Sequence, residues 1–150
     1  MESELVQLDD SGARDRHWTC HRLPAVPQSV GAARLLARTC LADDTDEVLL
    51  EQTILITSEL ITNAVKFGAG WRPLFLHLAV TGDCVAVTVA NAAGELWIDD
   101  GDAGPPPHTS EGGRGLHIVR ELSDEFSIFH GRVTIVRAAQ RREDSQSPRL

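Results

Sequence analysis

The run DDTDEVLLEQTILITSELITNAVKFG, residues 43–68, constrains this chain more than any other. Leu50, Ile54, Ile61 and Val65, widened by Thr57 and Ala64, recur at helical spacing, so the run predicts one long helix with a buried stripe. Asp43, Asp44 and Asp46 suit its capped, positive end, and Gly68 and Gly70 suit its termination. A stripe of this length needs a second layer to cover it. Yet the same helix carries Glu59, Asn63 and Lys66. The first two are four residues apart and the third is three further on, so all share one side. Such a trio suits work on a phosphate. A carboxylate can polarise a hydroxyl, an amide oxygen can ligate Mg²⁺, and an ammonium can balance phosphate charge. A solvated helix face carries the same pattern often enough that this helix alone does not decide.

The flanking segments supply the second layer. HWTCHRL (17–23) alternates like an edge strand, and the stretch from Pro27 to about Ala42 has helical spacing, with Pro27 tolerated in the first turn. LFLHLAV (74–80) and CVAVTVA (84–90), joined by TGD, predict a hairpin. Residues 91–115 form a long irregular stretch rich in glycine and proline, of the kind that is functional or disordered in a compact domain. LHIVRELSDEF (116–126) predicts an amphipathic helix, and FSIF with RVTIVRA predicts a closing hairpin. The expected fold is an α+β two-layer sandwich, with helices on one face of a mixed sheet. Residues 1–16 read as a flexible arm, 17–138 as the domain and 139–150 as a disordered tail.

Charge narrows the partners. A formal net charge of −8 lacks the basic face of a nucleic-acid binder and suits a basic or mixed protein partner, or simple solubility. No uncharged apolar stretch approaches the ~20 residues of a membrane helix, and no signal core opens the chain, so a cytoplasmic protein is expected. Cys20, Cys40 and Cys84 lack CxxC spacing, so neither a zinc site nor a disulfide framework is signalled.

Two further patterns carry chemistry. In EGGRGL (111–116), glycines before a helix let backbone N–H groups approach an anion in a favourable dipole field. At the end of VAVTVAN, Asn91 is polar where a strand meets the long loop, a place where turn-forming Asn is also common.

Taken in order, these pieces resemble the ATP-binding domain shared by gyrase, the Hsp90 chaperones, histidine kinases and MutL, the Bergerat-type fold. ELITNAVKFG is similar to that superfamily's N box, and GGRGLHIVREL to its G2 box. The compact size, with RLPAVPQSVGAARLLA and GRGLHIVRELSDEFSI, resembles the anti-sigma-factor serine/threonine kinases over residues 17 to 137. The resemblance implies Glu59 as general base and Asn63 as ligand of the Mg²⁺ that accompanies ATP. It implies Gly113, Arg114, Gly115 and Leu116 at the phosphates, and residues 92–112 as a mobile lid. Lys66 matches a lysine of histidine kinases, whereas Phe67 departs from the Arg-His of the anti-sigma kinases.

The larger departure is Asn91, where the family has an Asp that accepts from the adenine amino group. A neutral acceptor weakens that bond by about 1 kcal/mol, and a flipped amide would better suit a guanine oxygen. Asp99, Asp100 and Asp102 offer a replacement Asp-x-Gly signature, which leaves too short a lid. The implied activity is transfer of the ATP γ-phosphoryl to a small antagonist (anti-anti-sigma) protein, with sequestration of a sigma factor and pairing of two copies through the sheet. The alternatives are a regulatory binding module that holds ATP weakly and a detached histidine-kinase catalytic domain.

Overall fold

The structure is a computed structural model and describes residues 3–6, 17–68, 70–92 and 112–142. Most of the expected arm, the lid at residues 93–111 and the tail at residues 143–150 lie outside the described residues. The elements are β1 Ser3–Val6, β2 His17–Leu23, α1 Gln28–Leu41, α2 Glu47–Phe67, β3 Leu74–Val80, β4 Cys84–Ala92, α3 Gly112–Leu122, β5 Glu125–His130 and β6 Val133–Arg141. The six strands make one sheet in the order β1-β2-β3-β4-β6-β5, and the helices cover one face as a second layer.

Every strand pair is antiparallel, which corrects the expectation of a mixed sheet. Two helices separate β2 from β3, so the chain reverses three times and β3 returns against β2. The single helix α3 does bring β5 back in the direction of β4, but β6 lies between them. Parallel neighbours therefore never meet.

Alternation sets the core. Leu74, Leu76, Leu78 and Val80 of β3 and Val85, Val87 and Val89 of β4 point into the helix layer and are buried. They meet Ile54, Ile56, Leu60 and Ile61 of α2, and Ala33, Ala37 and Leu41 of α1. Each Leu or Ile buried this fully contributes about 1.5–3 kcal/mol. The buried stripe of α2 is wider than its spacing predicted, because Leu49, Thr53, Ile56 and Leu60 are also covered. Among the described residues α2 alone has the length and apolarity to cross a membrane, and half of it is buried in this fold as the core helix.

Local chemistry fixes the element ends. Asp46 alone caps α2, accepting from the Leu49 N–H at 2.8 Å. Asp43 and Asp44 belong to a short 3-10 turn, Ala42–Asp44, where Asp44 lies 3.3 Å from His17 Nε2. Residues 3–6 pair with the edge of β2, from Ser3↔His21 to Val6↔Trp18, so part of the expected arm is a strand. An unpaired β2 edge would leave a row of backbone groups without partners. β6 runs to Arg141, past the expected domain end at 138, because Cys84↔Arg141 continues the pairing. α3 lies four residues earlier than expected, and Phe126 belongs to β5. The Asp124 N–H donates to Ala139 O at 2.9 Å and draws the chain into the sheet there.

One buried side chain locks α3 in place. Gln140 of β6 accepts from Thr53 Oγ1 at 2.9 Å, and its Nε2 donates to Gln52 Oε1 at 2.9 Å and to Leu122 O at 3.0 Å. Gln140→Met strips two groups of that donor and is expected to cost about 1–3 kcal/mol in urea unfolding, with faster amide exchange in α3. Burial also depresses the pKa of His21, and of His77 with help from Arg137. Each folded pKa then lies below the unfolded value of about 6.5. Their neutral forms stabilise fully above that pH, and stability falls as pH drops from it towards the folded values. Between pH 7.5 and 5.5, His21→Gln is expected to lose less melting temperature than the wild type.

Candidate functional site

The polar side of α2 meets the first turn of α3 where a glycine leaves room. Gly115 is buried, and a Cβ built on it would lie 2.5 Å from Glu59 Oε2 and 3.8 Å from Asn63 Oδ1. The backbone of α3 therefore lies directly against the Glu59 carboxylate and beside the Asn63 amide oxygen. The glycines form the first turn of α3 itself, Gly112 to Gly115, rather than a loop ahead of it. N–H groups of a first helical turn have no partner within the helix and are free for an anion or a cap. Glu59 and Asn63 are half-buried, open enough to reach a ligand yet held by a packed helix. A carboxylate, an amide oxygen and the backbone of a first helical turn thus meet at one junction.

A second cluster lies at the C-terminus of α2. Gly68 caps the helix, its N–H donating to Ala64 O at 3.0 Å. Its φ of −80° and ψ of 168° suit any residue, so conformation does not demand glycine here. Space does, because a Cβ would lie 2.5 Å from Ala64 O and 2.8 Å from Asn91 Nδ2. Asn91 is not the start of the loop. It lies inside β4, 5% exposed, paired with Leu74 on one side and Thr134 on the other. The Thr134 hydroxyl is buried and has no hydrogen-bond partner among the described residues. Two polar side chains share one cross-strand position among apolar neighbours, and one of them is unsatisfied. Buried polar groups usually find a partner in protein, water or a bound group.

Lys66 is exposed in the last turn of α2, on the side its spacing gave it, and Leu116 is half-buried against the core. Gly113 and Arg114 lie in the first turn of α3, and the Arg114 side chain is outside the described residues, as are Asp99, Asp100 and Asp102. The structure thus joins Glu59 and Asn63 to Gly115, and Asn91 to Gly68. It adds Thr134, which the sequence reading missed. Its only signal was inward parity with Val136 and Ala138, legible once the β4–β6 register is known. From the sequence, Gly68 is only a helix terminator; its contact with Asn91 is a finding of the structure. Among the described residues, no group of three His, Cys, Asp or Glu side chains could hold a metal ion.

The family model of the histidine kinase-like ATPase domain matches residues 23–139, which contain both clusters. No curated protein matches the chain.

The two glycines are expected to respond differently to alanine. In Gly115→Ala the new methyl meets the end of a flexible side chain, so the Glu59 carboxylate swings aside and urea stability falls by less than about 1 kcal/mol, alanine being the better helix former. In Gly68→Ala the methyl meets a backbone carbonyl, and stability falls by about 1–3 kcal/mol.

Proposed function

The chain belongs to the histidine kinase-like ATPase domain family, and within that ATP-binding family we propose that it is a protein serine/threonine kinase of the anti-sigma-factor type. The observation that carries this reading is the Glu59 carboxylate lying against the Gly115 backbone, with Asn63 beside it. The residues present fit the nucleotide: a buried unsatisfied hydroxyl at Thr134 and a first turn built of glycines are features an ATP molecule would complete.

In this reading Asn91 and Thr134 hold the base. The backbone of Gly113 and Gly115 faces the phosphates, and Lys66 and Arg114 offset their charge. Asn63 would help hold a Mg²⁺ ion, which would supply charge neutralisation when bound with the phosphates. Glu59 accepts the proton of the incoming serine or threonine hydroxyl. Phosphoryl transfer asks for positioning and charge balance more than covalent chemistry, which a small rigid site can supply. The acceptor is a small antagonist protein, and the same surface would hold a sigma factor. Two copies would pair through the helix-free face of the sheet, where Phe75 and Phe129 are exposed. Asn91 favours a second reading, a regulatory module that binds ATP weakly and transfers nothing, because a neutral amide replaces a charged acceptor there.

Labelled ATP and a set of candidate antagonist proteins separate the two readings. The kinase reading expects transfer to one of them. Glu59→Gln should lower that rate by about 10²–10⁴-fold, the usual worth of a positioned base, with nucleotide affinity kept. Asn63→Ala should abolish the Mg²⁺ dependence of binding. Full transfer by Glu59→Gln contradicts the role given to that carboxylate.

A further inference from the structure

The base end of the site has an unusual donor and acceptor balance. Asn91 and Thr134 are direct cross-strand partners on adjacent strands and project to the same, helix-covered face of the sheet. They are 5% and 2% exposed. Both groups are neutral, and each can donate or accept. A hydroxyl carries one hydrogen and two lone pairs, and a carboxamide carries an oxygen acceptor and an NH₂ donor.

Neither group makes a strong hydrogen bond among the described residues. The hydroxyl of Thr134 has no partner among them, and a hydroxyl turns to suit the partner it meets. The Asn91 Nδ2 has one long contact, 3.5 Å to the carbonyl of Ala92. A bond at that length is weak. A half-turn of the amide exchanges its oxygen for its nitrogen at the cost of that contact, and Gly68 leaves the space in which the amide turns.

We propose that the base pocket of this chain accepts 6-oxo purines as well as 6-amino purines. This rests on the nucleotide-binding reading above and deepens it. Adenine presents an N6–H donor beside the N1 acceptor, whereas hypoxanthine and guanine present the O6 acceptor beside the N1–H donor. With the Asn91 oxygen inward and the Thr134 hydroxyl donating, the pair matches adenine. With the amide turned and the hydroxyl accepting, the same pair matches the 6-oxo edge. A carboxylate at position 91 could meet only the first pattern, because it has no hydrogen to give and would face O6 as a second acceptor. Rejection in buried sites comes chiefly from such unpaired groups, so a neutral pair gives up the discrimination that a carboxylate imposes.

Calorimetric titration of the full chain with non-hydrolysable analogues of ATP, ITP and GTP, with Mg²⁺ present, tests this. ATP and ITP differ only along the edge in question, so their ratio reads the 6-position. GTP adds the 2-amino group. The wild type is expected to bind the ATP and ITP analogues within about tenfold of each other, 1.4 kcal/mol or less. Asn91→Asp should widen that ratio at least about tenfold in favour of ATP. Thr134→Val should weaken both analogues by similar factors while leaving urea stability unchanged or higher, since it removes an unsatisfied buried hydroxyl. The wild-type ratio needs no variant to fold, so it decides even if Asn91→Asp unfolds. A wild-type preference for ATP above a hundredfold, or an unchanged ratio in a folded Asn91→Asp, overturns the proposal. Absence of binding by all three analogues to both the wild type and a folded Asn91→Asp overturns the nucleotide reading itself, and this inference with it.

Discussion

Everything proposed for this protein depends on how closely α3 lies against α2. The contact is made at Gly115, where an added methyl would lie 2.5 Å from the Glu59 carboxylate. Any side chain at 115 would push the carboxylate or the helix away, and the carboxylate would part from the backbone of α3. Two constraints hold the approach. Val119, fully buried one turn on, docks α3 on the core, and Gln140 ties the end of α3 to α2 and β6 together. The site is therefore a packing result first and a chemical one second.

The same logic operates at the other cluster. Gly68 lets the end of α2 come down onto Asn91, and strand pairing places Thr134 beside it. Polar groups are admitted there against the cost of burial, and one has no partner among the described residues. Elsewhere the inward face of β3 and β4 is Leu and Val. A bound ligand would give the Thr134 hydroxyl the partner it lacks among the described residues.

Much of this was legible in the sequence. The long helix, its polar edge, the glycine turn and the order of elements all rest on local patterns that a reader can count. The resemblance to a nucleotide-binding superfamily followed from those patterns, and the family match agrees with it. Long-range pairing was not legible. The antiparallel sheet depends on how many helices intervene between strands, and the strand at residues 3–6 on an edge offered by distant His17–Leu23. Thr134 depends on the β4–β6 register, set between segments far apart in sequence. Gly68 looked like a stop signal because its actual neighbour, Asn91, is 23 residues away in sequence. The structure brings the polar edge of α2, at Glu59 and Asn63, against Gly115. The role of each residue on it is a matter of chemistry that no spacing can fix.

The central claim is that one nucleotide spans both clusters, from Asn91 and Thr134 to the first turn of α3. Amide and side-chain NMR shifts of the isotope-labelled protein, followed as a non-hydrolysable ATP analogue and Mg²⁺ are added, test it most directly. The account predicts the largest shifts at Asn63, Gly68, Asn91, Gly115 and Thr134, saturating together with a single affinity. Saturable binding whose shifts gather at the opposite end of α2, around Asp46 and Arg141, with these residues unmoved, would contradict it.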